Sequence, residues 1–186
     1  MKTLNYNDII KDDNQNLREK SIDVDIPLNI DDFETLIQMN EYLLMGLDED
    51  TCEANNIRPG VGLAAPQVNV LKRMITVLAH NEKGELFHFG LINPKIISHS
   101  EEKTYLPGGE GCLSVDRTVS GYVHRAKRIT VRGYFYDYST HELTLQERRF
   151  INYIAVVVQH EIDHLNGILF YDHFDPNNPY FIPSNS

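Results

Sequence analysis

Arg148-Arg149-Phe150-Ile151-Asn152-Tyr153-Ile154-Ala155-Val156-Val157-Val158-Gln159-His160-Glu161-Ile162-Asp163-His164-Leu165-Asn166-Gly167 is the stretch whose reading decides the fold. Its first half is rich in β-branched residues and taken alone reads as a buried strand. The nineteen residues from Arg148 to Asn166 and the stop at Gly167 predict a helix instead, since glycine is favoured just past a helix end. A helix apolar nearly all round is a buried one. With strand patterns before it, the expected class is α+β, with mostly antiparallel sheets wrapped around a central helix.

Working outward, Ile129–Tyr138 alternates and resumes at Leu143 and Leu145 after the polar turn at Ser139-Thr140, which predicts a hairpin. Leu71–Ala79 and Glu85–Ile97 are two further strand candidates, joined through Asn81-Glu82-Lys83-Gly84. Phe33, Leu36, Ile37, Tyr42, Leu43 and Leu44 recur near helical spacing, with Asp31 or Asp32 as the expected N-cap and Gly46 near the end. Residues 1–30 read as an extended lead-in that packs on something else. No repeat or linker divides the chain, so residues 1–186 are expected to form one domain.

The buried helix carries chemistry. In Gln159–Gly167 the pattern H-E-x-x-H places His160 and His164 one above the other, able to direct ring nitrogens at one metal ion. Glu161 is offset by about 100°, within reach of a nearby water but not placed to compete as a ligand. Two unpaired histidines on a solvated face would be the alternative, and burial makes it costly. A catalytic site needs a third protein ligand and an open position. The downstream solutions are closed: Phe170 stands where a third histidine would fall, and no Glu follows Glu161.

Upstream, Glu110-Gly111-Cys112-Leu113-Ser114 offers a thiolate, a good ligand for zinc or ferrous iron. Gly111 beside it would let backbone approach the metal closely. A buried core cysteine is the usual fate of a free thiol, but the preceding Pro107-Gly108-Gly109 marks a turn. Cys52 sits in a polar stretch and reads as a surface or partly covered residue. Gly60-Val61-Gly62-Leu63-Ala64-Ala65-Pro66-Gln67 lacks the third glycine or the Lys-Ser/Thr of a phosphate loop. It reads better as a tight segment along which an extended peptide can lie. Gln67 either is a turn residue or presents its amide as a donor to a developing oxyanion.

Composition narrows the function classes. The chain carries 17 basic and 27 acidic residues, a formal charge of −10, with no basic cluster beyond short pairs. That argues against nucleic-acid binding. No window approaches the roughly 18 apolar residues of a membrane span, and the N-terminus lacks a signal-peptide pattern. A cytoplasmic location is expected, and with two cysteines in unlike surroundings a disulfide is not.

Together, G-x-G-x-A-A-x-Q at Gly60–Gln67, E-G-C-L-S at Glu110–Ser114 and Q-H-E-x-D-H-L-x-G at Gln159–Gly167 resemble the three signatures of peptide deformylase, in the family's order. Leu91-Ile92-Asn93-Pro94 fits the same resemblance, which covers roughly Leu17 to Asp172, and the long Asp48–Pro59 segment resembles the type 2 subgroup. The resemblance implies removal of the formyl group from the N-terminal methionine of new polypeptides, releasing formate. It implies one divalent ion, naturally ferrous iron and exchangeable for zinc, nickel or cobalt, held by Cys112, His160 and His164. Glu161 would be general base and acid, and the Gln67 side chain and Leu113 N–H would stabilise the oxyanion. A bound metal lowers the pKa of water from about 15.7 to about 7, roughly 12 kcal/mol of stabilisation. Asp163 is the sequence-local candidate for orienting an imidazole.

Helical geometry adds a methionine pocket. Tyr153, Val156 and Val157 precede His160 by seven, four and three residues and share its face, unless they simply pack in the core. Val61 and Leu113 could complete the wall, with Gly60, Gly62 and Gly111 leaving room for substrate. The expected partners are formyl-methionyl nascent chains, with the protein a monomer. Some members dock on the ribosome through a long C-terminal helix. Prolines at 176, 179 and 183 preclude one here, so any proximity to the ribosome would be transient and by another route. Two rivals remain: a general metalloprotease, and a structural Cys/His site recruiting Cys52.

Overall fold

The computed structural model describes residues 2–186. Strand β1 (Gly62–Ala64) leads to β2 (Met74–His80) and β3 (Leu86–His99). A short pair, β4 (Lys103–Thr104) and β5 (Arg125–Ala126), precedes the hairpin of β6 (Arg128–Asp137) and β7 (Glu142–Ile151). Five strands form one sheet in the order β1-β2-β3-β6-β7, with every pairing antiparallel, and β4-β5 form a second, two-stranded sheet. Helices α1 (Ile30–Met45), α2 (Glu49–Asn55) and α3 (Asn152–His164) complete the regular structure. The class is the expected α+β, with antiparallel sheets around the helix that carries H-E-x-x-H.

Strand β2 shows how the core divides. Ile75, Val77 and Ala79 point to one face and join α3 residues Ile154, Ala155 and Val158 in a buried cluster. Met74 and Leu78 point to the other face and join Leu36, Met39, Tyr42 and Leu43 of α1. A strand covered on both faces is apolar without alternation, which is how Met74-Ile75-Thr76-Val77-Leu78-Ala79 reads. Gln159 of α3 ties the helix to the small sheet, its Nε2 donating to the Ala126 carbonyl and its Oε1 accepting from the Ala126 N–H. The central helix therefore lies between the two sheets.

Two boundaries differ from expectation. Arg148–Ile151 are the end of β7, not the start of the helix, and Ile129↔Phe150 and Arg128↔Ile151 pair across the hairpin. Asn152, at φ +51, then turns the chain out of the strand, and the Glu82 carboxylate accepts from the Tyr153 N–H at the new helix end. Helix α1 is capped by Asn29, whose Oδ1 accepts from the Asp32 N–H, rather than by Asp31 or Asp32. Strand β3 is broken by register shifts after Ile92 and after Ile96. Asn93 at φ +51 sits in the first and exchanges two 2.8 Å hydrogen bonds with the Val24 backbone. Among its described residues the lead-in holds two short 3-10 turns, at Tyr6–Asp8 and Gln15–Arg18, and it packs on the body as expected, burying Leu4, Ile9 and Val24 in the α1 cluster.

Candidate active site

Helix α3 is apolar because it is buried, and its last two turns bring His160 and His164 against the loop after Gly111. Ligand atoms of Cys112, His160 and His164 lie within 4.8 Å of one another. The Cys112 Sγ is 3.3 Å from the His164 Nε2. Cys52 is elsewhere: its thiol reaches the Met45 carbonyl and it packs with the α1 core. That removes the fourth ligand a closed structural site would need.

Burial pushes the Cys112 thiol up, but His164 and His160 beside it outweigh that and hold it well below the ordinary range. The two histidines thus favour the thiolate, the form that binds metal. The His160 Nδ1 is engaged by the Glu110 Oε1 at 2.9 Å, which leaves the other ring nitrogen for the cluster. The His164 Nδ1 and the Glu161 Oε2 are buried with no partner in the protein. Two imidazoles and a thiolate converging beside an unpartnered carboxylate fit a divalent ion of the zinc or ferrous type.

Glu161 is 5% exposed. Burial raises its carboxyl above the ordinary range, against the lowering effect of His160 and His164. Gly62 makes room for it: a Cβ there would fall 2.5 Å from the Glu161 Oε1. Gln67 is fixed at both ends. Its Oε1 accepts from the Ala64 N–H at 2.9 Å, so its NH2 group must face the Ser114 hydroxyl at 3.1 Å and the Cys112 sulfur at 3.5 Å. Gln67 thus lies on the 3-10 turn Ala65–Val68 with its amide directed at Ser114 and Cys112. Among the described residues the Leu113 N–H donates to no protein acceptor.

A cavity of about 340 Å³ opens over these groups. Gly60, Val61, Gly62, Gln67, Gly111, Cys112, Leu113, Tyr153, Val156, Val157, His160 and Glu161 all line it, while His164 lies behind the Cys112 sulfur. Val156 and Val157 also belong to the buried core, so pocket wall and core packing coincide. Gly111 lines the cavity, and a Cβ there would meet no protein atom within 4 Å.

Sequence reasoning missed the groups that orient the site. Glu110 was legible in its motif but without a role; it holds His160 and is bridged by Arg125, whose Nε and Nη2 donate to its two oxygens at 2.7 and 2.8 Å. The Arg125 Nη1 donates to Asp163 at 2.8 Å, and His173 lies 2.7 Å from the same carboxylate oxygen. Asp163 thus reaches the His160 imidazole only through Arg125 and Glu110, a correction to the expectation that it orients a ligand histidine itself; the imidazole it touches is His173. Burial raises Glu110, but His160 and Arg125 more than offset it and keep it ionised. Arg58, Leu106 and Gly109 also line the cavity without any signal in the sequence that singles them out.

Known proteins match this arrangement along nearly its whole length. The family model described as polypeptide deformylase matches residues 6–180. A peptide deformylase of Macrococcus caseolyticus is 49% identical over 177 residues, covering 95% of this chain and 94% of that protein. Peptide deformylase 2 of Bacillus subtilis is 44% identical, covering 96% and 94%. Among solved structures, an actinonin-bound class I type b peptide deformylase from Acinetobacter baumannii superposes with a TM-score of 0.70 at 30% identity, covering 93% of this chain and 99% of that one. The Thermotoga maritima enzyme gives 0.65 at 28% identity, covering 90% and 97%. With a match of this extent behind the three motifs and the cavity they build, the chain belongs to the polypeptide deformylase family.

Proposed function

We propose that this protein removes the formyl group from the N-terminal methionine of nascent polypeptides, with Cys112, His160 and His164 holding one divalent ion and Glu161 moving the proton. The observation that carries the reading is the buried Glu161 carboxylate, unpartnered at one oxygen, facing the same cavity as the Cys112 thiolate. An ion held there by Cys112, His160 and His164 would supply Lewis-acid polarisation of a carbonyl oxygen and would acidify water to a pKa of about 7. Glu161 accepts a proton from water as it adds to the formyl carbon. The Gln67 amide and the Leu113 N–H meet the negative charge on the oxygen. Glu161 then delivers its proton to the amine as the C–N bond breaks, releasing formate.

The substrate backbone lies along β1, an edge strand whose one sheet neighbour is β2, with Val61 and Gly62 beside it. Its methionine side chain rests on Tyr153, Val156 and Val157. Ferrous iron is the native ion, the partner is the emerging chain in the cytoplasm, and the protein works as a monomer. No helix is long and apolar enough to cross a membrane. The test is metal content together with hydrolysis of a formyl-Met peptide, on protein prepared with and without oxygen. The anaerobic sample is expected to hold about one iron per chain and the higher rate. A sample free of divalent metal that is equally active would overturn the reading.

A further inference from the structure

We propose that Ile10-Lys11-Asp12 of the lead-in is a clamp that sets the two oxyanion donors at their working separation, and that Lys11 is a positioning residue for the reaction. The inference rests on the assignment of Gln67 and the Leu113 N–H as those donors.

Three consecutive residues reach two segments far apart in sequence. The Ile10 N–H donates to the Gln67 carbonyl at 2.9 Å, and the Asp12 N–H donates to the Ser114 carbonyl at 2.9 Å. Between them the Lys11 Nζ donates to the Leu113 carbonyl at 3.2 Å. One donor sits on the 3-10 turn Ala65–Val68 and the other on the loop after Cys112. The direct polar contacts from Gln67 to that loop are those of its side-chain amide, to Ser114 and Cys112. The backbones on either side are joined instead through the lead-in.

The Leu113 N–H shares its peptide plane with the Cys112 carbonyl, which accepts from the Val115 N–H at 3.1 Å. The lead-in holds the next two planes through the Leu113 and Ser114 carbonyls, so the turn that carries the N–H is anchored to the segment that carries Gln67. The Lys11 ammonium is itself held 3.4 Å over the Tyr6 ring. Its ion pair with Asp116 is 3.5 Å long, and the Asp116 side chain is 56% exposed. An exposed pair of that kind adds little stability, so it does not account for where Lys11 points. Fixed donors stabilise a developing charge because they need no reorganisation during the reaction. A loosened pair should therefore slow turnover without weakening the grip on substrate.

The experiment compares Lys11→Met, Lys11→Arg, Gln67→Ala and the Lys11→Met/Gln67→Ala double variant, each as full-length metal-loaded protein on a formyl-Met peptide. Lys11→Met is expected to lower kcat about tenfold, a part of the roughly 10²–10³ lost when a whole oxyanion donor is removed. KM and metal per chain should stay within twofold of the parent, and Lys11→Arg should recover at least half of the lost rate. In the Gln67→Ala background the effect of Lys11→Met should shrink below threefold, because one of the two groups it aligns is gone. A full kcat in Lys11→Met overturns the clamp, as does an undiminished tenfold loss in the double variant or a loss of metal that parallels the loss of rate. A Gln67→Ala variant with full kcat overturns the donor assignment itself, and the clamp with it; the clamp fails alone if Gln67→Ala is slow and Lys11→Met is not.

Discussion

Glu161 carries a carboxylate with one oxygen satisfied by nothing in the protein and a neighbour, Gly62, that leaves room only for hydrogen. Glu161→Gln is expected to keep the metal and abolish turnover, because an amide cannot accept the water proton; metal loss equal to that of His160→Ala would make Glu161 a ligand and the mechanism wrong. Gly62→Ala should also keep the metal, yet its Cβ would fall 2.5 Å from the Glu161 Oε1. A displacement of the base on the order of 1 Å costs about 10²-fold, and kcat/KM within threefold of the parent would contradict the contact. The two cysteines separate just as clearly. Cys112→Ser should sharply weaken a soft or borderline metal, while Cys52→Ser, whose thiol reaches only the Met45 carbonyl, should leave metal and rate almost unchanged. Equal metal loss in the two would revive the structural-site rival.

Between elements, the strongest tie is Arg125 of β5, its side chain 3% exposed and set between the Glu110 loop and Asp163 of α3. Arg125→Met leaves the Glu110 side chain, 4% exposed, without its guanidinium and takes one partner from half-buried Asp163, an imbalance that costs about 3–5 kcal/mol. Urea unfolding should read that loss, and a midpoint unchanged from the parent would mean that water replaces the guanidinium freely. This tie also marks where the sequence stops being legible. H-E-x-x-H, E-G-C-L-S and the Gln67 segment could be read because each places its groups by local geometry. The bridge from Asp163 through Arg125 to Glu110 spans 53 residues from Glu110 to Asp163 and no spacing encodes it. The strand-to-helix boundary failed for a related reason. Arg148–Ile151 are strand because β6 supplies partners for them, and a β-branched run beside a helix gives no sign of that pairing. The change of structure at Asn152 rests on a positive φ that asparagine tolerates but does not announce.

At the scale of the molecule, the cavity is walled on one side by α3 and on the other by β1 and the Cys112 loop. The tail beyond His173 returns to the body, where the Tyr122 N–H donates to the Pro179 carbonyl and the Lys103 N–H to the Asn185 carbonyl, and it forms no helix. We predict hydrolysis of formyl-Met peptides in preference to acetyl-Met peptides and to internal peptide bonds. The formyl carbon carries only hydrogen, so it can approach between the Glu161 carboxylate packed on Gly62 and the fixed Gln67 amide. An added methyl, or a preceding residue, would have to displace one of them. Gly111 lines the same cavity, where a side chain would enter the room that the substrate needs. On the proposed placement the methionine side chain would contribute separately, each methylene buried on Tyr153, Val156 and Val157 adding about 0.8 kcal/mol. Replacing the first substrate residue by glycine should lower kcat/KM by roughly one to two orders of magnitude, about 1.5–3 kcal/mol. Steady-state rates on formyl-Met-Ala-Ser, formyl-Gly-Ala-Ser, acetyl-Met-Ala-Ser and casein decide the matter, and comparable rates on formyl-Met, acetyl-Met and an internal bond would establish a general metalloprotease instead.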